Sequence, residues 1–314
     1  MSLHPQAKAL LQMFEARNAP SLEEVSLQEA RGMFEQSAKL LNKAEDIFHV
    51  EDRKIQGYQR EMKVRIYTPS DNDRLPVLVY FHGGGWVIGN LETHDSLCRS
   101  LANQSNCKVV SVDYGLAPEN KFPVAVEDAY LATKWVSEHA DELNVDKNNI
   151  AVGGDSAGGN LAAVVCYLAN ERKGPSISQQ LLFYPSTGFE YTESYEKYGE
   201  GYYLTKSQMK WFREQYLNDE TDTLNPLAAP MLLSDEDTAL LPTAYIVTAE
   251  FDPLCDGGEN YSRKLTNAGV QTTYICYPGM IHGFISMAGV LDDGKKAITE
   301  AALYLKEQFA NKVK

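Results

Sequence analysis

The chain has 314 residues, 44% hydrophobic and 23% charged, which is typical of a soluble globular protein with one large α/β domain or two smaller ones. Its net charge of −14 argues against nucleic acid and anionic membranes as partners. No run approaches the roughly 18 apolar residues of a membrane span. The five cysteines lack CxxC spacing, which predicts reduced thiols in a cytoplasmic protein without a metal site.

Two amphipathic patterns, over residues 6–17 and 26–42, predict helices before the first strand. Their apolar side chains are too few to fold alone, so the pair must lie on another part of the chain. We predict cap helices over residues 1–45. The alternative is an N-terminal decoration with no part in the site.

Eight short apolar or alternating segments predict strands. They cover residues 50–55, 63–68, 76–81, 107–112, 150–152, 180–184, 244–249 and 272–277. The first two form an expected antiparallel pair, and the others alternate with predicted helices. These helices cover residues 93–105, 122–140, 161–169, 258–267 and 295–309. Such alternation predicts a mostly parallel sheet with helices on both faces.

The alternation stops after Pro185, where a polar segment rich in Tyr and Glu contains one amphipathic helix over residues 206–217. We predict that this segment is an insertion that packs with the N-terminal helices. The predicted division is cap helices at 1–45, a first core part at 46–185, a cap insertion at 186–225 and a second core part at 226–314.

A Gly-x-Ser-x-Gly sequence, Gly154-Asp-Ser-Ala-Gly158, lies between the fifth predicted strand and a helix. A strand that turns into a helix within so few residues forces the apex residue, Ser156, into a strained conformation above the sheet. The helix N-terminus then faces whatever is bound to the serine. We therefore predict that Ser156 is a nucleophile; the alternatives are a structural glycine-rich turn and a phosphate-binding loop.

Three consecutive glycines follow the third predicted strand in His82-Gly-Gly-Gly-Trp86. Glycines cost conformational entropy, so such a run makes sense where backbone N–H groups approach a ligand closely. The alternative is a flexible loop.

The base that Ser156 requires is predicted to be His282, which follows a late strand. The loops after parallel strands meet at one edge of the sheet, so the two side chains should lie together there. His82 is the rival, although its place beside the glycines suggests that it fixes that loop. The remaining histidines are expected at the surface: His4, His49, His94 and His139.

An acid must orient the base, and Asp252 follows the penultimate strand on the same edge. Asp256 is better placed to cap the next helix, and Glu250 is a third candidate. The order Ser, Asp, His is the order of α/β-hydrolases.

The chain resembles the hormone-sensitive-lipase-like group of α/β-hydrolases, the bacterial type IV esterases, over nearly its whole length. The matching motifs are His82-Gly-Gly-Gly-Trp86, Asp113-Tyr-Gly-Leu-Ala-Pro-Glu119, Phe122-Pro-Val-Ala-Val-Glu-Asp128, Gly153-Gly-Asp-Ser-Ala-Gly-Gly159, Asp252-Pro-Leu254 and His282-Gly-Phe284. The resemblance implies an α/β-hydrolase fold with a helical cap, and activity on short acyl esters.

The resemblance also implies an oxyanion hole in which Gly84, Gly85 and Ala157 donate N–H groups while Gly83 shapes the loop. Two positions depart from the pattern, because Gly115 and Cys255 stand where the family usually or often has Arg. These departures are expected to loosen local ion pairing.

We therefore predict a serine carboxylester hydrolase that needs no cofactor and acts on a small-molecule ester of short to medium acyl chain. A small-molecule receptor on the same fold is the first rival, although receptors that resemble this family have lost the histidine that is present here as His282. A hydrolase of amides or acetylated sugars is the second. The sequence leaves the oligomeric state open, including a homodimer.

Overall fold

The computed structural model describes residues 2–311, which contain one eight-stranded sheet. The strands are β1 (His49–Gln56), β2 (Glu61–Thr68), β3 (Leu75–Phe81), β4 (Lys108–Val112), β5 (Val145–Asp155), β6 (Ile177–Phe183), β7 (Thr243–Phe251) and β8 (Thr272–Ile281). Their order is β1-β2-β4-β3-β5-β6-β7-β8. Strand β2 is antiparallel to β1 and β4, and the other neighbours are parallel. The predicted mostly parallel sheet and its antiparallel opening pair are confirmed.

Within the same residues, ten α-helices connect or flank the strands. They are α1 (Pro5–Ala16), α2 (Leu27–Leu41), α3 (Asp95–Ser105), α4 (Val124–Glu138), α5 (Ala157–Glu171), α6 (Glu193–Tyr198), α7 (Lys206–Tyr216), α8 (Asp235–Ala239), α9 (Cys255–Asn267) and α10 (Asp292–Asn311). Short 3₁₀ segments lie at Leu22–Glu24, Glu220–Leu224, Pro230–Leu232 and Ile285–Met287. No helix of residues 2–311 is both long and apolar enough to cross a membrane.

Side chains alternate between the two faces along each strand, and both faces of this sheet are buried. In β3, Val77, Val79 and Phe81 belong to one apolar cluster, which includes side chains of α4 and α5. The intervening Leu78 and Tyr80 belong to a second cluster, which includes side chains of α3 and α10. This accounts for the continuous apolar sequence of β3 and confirms helices on both faces.

Four parallel strands deliver candidate site residues to one edge of the sheet. Strand β3 ends before the glycine run, β5 before Ser156, β7 before Asp252 and β8 before His282. The carboxyl ends of parallel strands share an edge. The sheet alone therefore brings these four loops together.

The N-terminal helices lie over this edge and bind the loops beyond the strands. The Asn42 side-chain amide, at the end of α2, donates to Ser286 O at 2.7 Å, and its oxygen accepts from the N–H of Gly289. The insertion after β6 meets the N-terminal segment, since Ser207 donates to Glu23 in the 3₁₀ segment between α1 and α2, and the rings of Phe14 of α1 and Tyr203 stack. Both segments therefore cover the end of the sheet that carries Ser156.

The structure differs from several sequence-based boundaries. Strand β5 is longer than the predicted residues 150–152, and α9 begins at Cys255 rather than at residue 258. Helix α5 begins at Ala157 rather than near residue 161, because its first turn contains the glycines of the motif and gives no apolar periodicity. Helices α6 and α8 were not predicted, because they have six and five residues and are mostly polar. Each begins at a Thr or Ser side chain that accepts a backbone N–H, which is the signal that could have indicated them.

Candidate active site

Ser156 lies between the end of β5 and the start of α5, with φ 56° and ψ −117°. The turn is possible because two glycines allow the chain to approach itself. A Cβ on Gly158 would lie 1.9 Å from Phe81 O, and one on Gly154 would lie 2.4 Å from the same oxygen. The small residues of the motif are therefore required by contact with β3, and the strained serine is directed out of the sheet.

Three of the predicted side chains form one hydrogen-bonded chain. Nε2 of His282 lies 3.0 Å from Oγ of Ser156, and Nδ1 of His282 lies 2.7 Å from Oδ2 of Asp252. Asp252 is fully buried and His282 is 6% exposed. The second Asp252 oxygen accepts the backbone N–H of Leu254 at 2.8 Å. The carboxylate is thus held at both oxygens, and Ser156 alone of the three is partly open.

The alternative acids point elsewhere. Asp256 was expected to cap the following helix, but it lies inside α9 and its carboxylate accepts the N–H of Ser194 at 2.7 Å. Glu250 accepts the N–H of Gly279 at 2.8 Å. Asp256 thus binds the backbone of α6 and Glu250 that of β8, and the bond to His282 comes from Asp252.

The rival base, His82, is buried under the glycine loop. Its Nδ1 lies 2.8 Å from Gly83 O, and its ring stacks on Tyr114 at 4.4 Å between centroids. Burial, with a smaller effect of the His94 charge, lowers the pKa of His82 to about 3, so the imidazole is neutral. It lies under the loop, as expected from its position beside the glycines.

The glycine loop adopts backbone conformations that suit glycine. Gly84 has φ 116° and Gly85 has φ 59°, and a Cβ on Gly84 would lie 2.2 Å from Ile88 O. Among the described residues, no group accepts a hydrogen bond from the N–H of Gly84, Gly85 or Ala157. These three donors belong to the lining of the same cavity as Ser156. They are therefore available to an anionic oxygen formed beside the serine.

Asp155 is a site residue that the sequence analysis missed. It is 4% exposed, and Oδ1 accepts the hydroxyl of Tyr80 at 2.9 Å and the N–H of Gly83 at 3.0 Å. The Gly83 N–H is therefore used inside the loop, which agrees with a shaping role. Nε2 of His94 lies 3.0 Å from the same oxygen. Asp155 lies inside the Gly-x-Ser-x-Gly motif, next to Ser156, and this position could have indicated its place in the site.

His94 was expected at the surface, and this expectation was wrong. Its ring is 1% exposed, because it lies between Asp155 and the Thr93 hydroxyl, which is 2.8 Å from Nδ1. Burial acts to raise the pKa of Asp155, but the His94 charge and the hydrogen bonds from His94 and Tyr80 outweigh it, so that pKa is below its usual value. Asp155 is therefore a buried carboxylate at neutral pH.

The hydrogen-bonded chain opens into a cavity of about 860 Å³. Its walls come from the sheet edge, from the N-terminal helices and from the insertion. Apolar lining residues of the last two include Leu11, Phe14, Met33, Phe34, Leu204, Met209 and Phe212. Within residues 2–311, no three His, Cys, Asp or Glu side chains gather as a metal site. The cavity can hold a small apolar molecule with its reactive group against Ser156.

Comparisons with known proteins agree with this arrangement. A family model described as alpha/beta hydrolase fold matches residues 78–286. The carboxylic ester hydrolase LipN of Mycobacterium tuberculosis is 44% identical over 245 residues, which cover 76% of this chain and 65% of LipN. An ethyl acetate hydrolase of Pseudomonas putida is 35% identical over 315 residues, covering 96% of this chain and 98% of that protein.

A solved structure is similar throughout. The hyperthermophilic esterase from the archaeon Pyrobaculum calidifontis superposes with a TM-score of 0.94 at 43% identity. The superposition covers 98% of this chain and 99% of the esterase. The similarity therefore includes the segments over the sheet edge as well as the sheet.

Replacing Asp155 by Asn should destabilise the protein by roughly 2–4 kcal/mol, because a neutral amide replaces a buried charge that accepts three donors. The pKa of Asp155 is lower when folded, so the stabilisation is complete above the unfolded pKa of about 4 and is lost as pH falls through the folded value. Denaturant unfolding of both proteins between pH 3 and 7 measures the difference. A difference that already shrinks between pH 7 and 5 would contradict this assignment.

Proposed function

The chain belongs to the α/β-hydrolase family, and on that premise we propose that it hydrolyses carboxylic esters through an acyl-enzyme formed on Ser156. The observation that supports this most directly is the hydrogen-bonded chain from Asp252 through His282 to Ser156, which ends beside three unused N–H groups. That arrangement contains a nucleophile, its base, an orienting acid and a site for the oxyanion.

In the first step, Oγ of Ser156 attacks the ester carbonyl while Nε2 of His282, 3.0 Å away, takes the hydroxyl proton. The carbonyl oxygen becomes an oxyanion that accepts hydrogen bonds from the N–H groups of Gly84, Gly85 and Ala157. Helix α5 begins at Ala157, so the unpaired N–H groups and the dipole at its N-terminus also stabilise the oxyanion.

His282 then donates its proton to the leaving alcohol, and the serine retains the acyl group. Water enters, His282 takes a proton from it, and the same oxyanion site holds the second tetrahedral intermediate. Collapse of that intermediate releases the carboxylic acid and restores Ser156. No step requires a cofactor.

Asp252 orients the base. Its Oδ2 accepts a hydrogen bond from Nδ1–H of His282, which leaves Nε2 free to accept the serine proton. The carboxylate also stabilises the imidazolium that forms in each step. Because the Leu254 N–H fixes its other oxygen, Asp252 holds His282 in one orientation.

Short to medium acyl chains are the proposed substrates, since the cavity of about 860 Å³ is bounded by the apolar cap residues. Each buried CH₂ contributes about 0.8 kcal/mol only until the wall is reached. The relative from Pseudomonas putida is named an ethyl acetate hydrolase, which is consistent with a small acyl group.

The Ser156→Ala variant tests the chemistry. It should fold normally and lose a factor of roughly 10⁴ or more in kcat on nitrophenyl acetate, because no oxygen remains to form the acyl-enzyme. Circular dichroism and the melting temperature are the controls for folding. A folded variant with a tenth of the wild-type kcat would rule out Ser156 as the nucleophile, and a wild-type protein that binds esters without turnover would favour the receptor alternative.

Asparagine substitutions at two aspartates form a matched pair that tests which residue orients His282. Asp252→Asn keeps an oxygen for the Leu254 N–H but presents the wrong partner to His282, so kcat should fall roughly 10³- to 10⁴-fold. Asp256→Asn removes only a charge that binds the Ser194 N–H, so kcat should change by less than about threefold, with a stability loss near 1 kcal/mol. The reverse order of the two kcat losses would assign the acid to Asp256.

The chain-length limit can be tested from the cap. Met33 of α2 lines the cavity, so Met33→Trp should shorten it and lower the octanoate-to-acetate ratio of kcat/KM by about tenfold, the effect of losing space for nearly two CH₂ groups. Gln28 is exposed on the same helix and lies outside the cavity lining, so Gln28→Trp is the control and should leave the ratio unchanged. Equal ratios in the wild type and both variants would show that α2 does not bound the acyl chain.

A further inference from the structure

Two cysteines that the ester chemistry does not use face each other beside the site. Cys255 is the first residue of α9, and Cys276 lies on β8. Their Sγ atoms are 3.9 Å apart. Cys255 is 9% exposed, whereas Cys276 is exposed to solvent.

The surroundings of the two thiols differ in a way that separates their reactivity. The hydrogen bond from Cys255, together with those from Thr248 and Tyr274, outweighs the effect of burial and lowers the pKa of Cys276 to about 7. The bond to Cys276, with burial, raises the pKa of Cys255. The exposed Cys276 is therefore the thiol of the pair that ionises more readily, and Cys255 is the buried partner that contacts it.

The other three cysteines lack this combination. Cys98, Cys107 and Cys166 are each at most 1% exposed, and burial raises the pKa of all three thiols. An oxidant in solution therefore meets Cys276 first.

We propose that Cys255 and Cys276 form a redox modification site, which a hydroperoxide converts into a disulfide that joins α9 to β8. The Cys276 thiolate attacks the peroxide oxygen, the O–O bond breaks, and hydroxide leaves from hydrogen peroxide, which gives a sulfenic acid on Cys276. The Cys255 sulfur then attacks that sulfur and expels water. Overall, two thiols and one peroxide give one disulfide and two waters.

The geometry allows this step with little movement. The two sulfurs are already in contact at 3.9 Å and must approach to about 2.05 Å. Cys255 is anchored by its own N–H, which donates to Asp252 O at 3.0 Å. The disulfide therefore ties the loop that carries Asp252 to the strand that leads to His282.

The expected consequence is stabilisation without loss of turnover. A disulfide restricts the unfolded chain, and here it closes a loop between residues 255 and 276. Neither thiol lines the cavity, so the ester site keeps its shape. The inference does not depend on ester hydrolysis, because its main readouts are covalent structure and melting temperature.

The test treats the reduced protein with an equimolar amount of hydrogen peroxide and maps its peptides without reduction. We expect a cross-linked peptide pair containing Cys255 and Cys276, the loss of two hydrogen atoms from the intact mass, and a melting temperature about 5 °C higher or more. Dithiothreitol should reverse all three changes. No cross-link at this dose, or a melting temperature that does not rise, would overturn the proposal.

Two serine variants separate the roles of the thiols. Cys255→Ser should stop at a sulfenic acid on Cys276, which dimedone traps, because the resolving thiol is gone. Cys276→Ser should take up no oxidant at the same dose, and neither variant should gain stability on treatment. Equal labelling of Cys276 by dimedone in the wild type and in Cys255→Ser would show that Cys255 does not resolve the sulfenic acid, and would also overturn the proposal.

Discussion

The buried carboxylate of Asp155 is the contact on which the geometry of the site depends. It belongs to the residue before Ser156, and it binds the N–H of Gly83 in the loop after the neighbouring strand β3. One side chain therefore links the serine turn to the glycine loop. A buried charge without partners would be strongly unfavourable. Because Tyr80 and His94 also bind this carboxylate, the arrangement has few alternatives of similar energy.

The strained conformation of Ser156 depends on the packing around it. A non-glycine residue in this region of backbone space persists only where its surroundings determine it. Here β5 lies in the middle of the sheet, and the start of α5 is fully buried. The closeness of Gly158 to Phe81 O leaves no room for a side chain at that position. The sheet core thus holds the serine toward the cavity at a modest cost in backbone energy.

The sequence predicted the sheet and its loops well because their signals are local. Eight apolar segments and the Gly-x-Ser-x-Gly turn can each be recognised from adjacent residues, and the rule that parallel strands end at one edge then brings Ser156 and His282 together. The partners of Asp155 could not be found in this way. His94 binds it across 61 positions, and nothing in the sequence around His94 distinguishes it from a surface histidine.

Asp256 shows the same limit. Its position near a helix start suggested a cap, yet it binds Ser194, which lies 62 residues earlier in the short helix α6. Because α6 has too few residues for a periodic signal, the sequence could not indicate that Asp256 would bind Ser194. Sequence patterns therefore located the three side chains that form the hydrogen-bonded chain, while the side chains that hold the loops in place depended on tertiary contacts.

The N-terminal helices and the insertion after β6 are joined to the loops around Ser156, which would link substrate selection to catalysis in the proposed function. The Arg31 guanidinium of α2 donates to Val87 O at 2.9 Å and to Ala117 O at 3.0 Å, just beyond the oxyanion loop. On the other side, Tyr216 of α7 stacks on Trp86 with centroids 4.3 Å apart. A displacement of either helix therefore moves the segment that carries the proposed oxyanion donors. Donors to an oxyanion act only when they are aimed at the developing charge. For the proposed ester hydrolysis we therefore expect changes in these helices to alter kcat as well as the fit of the acyl chain.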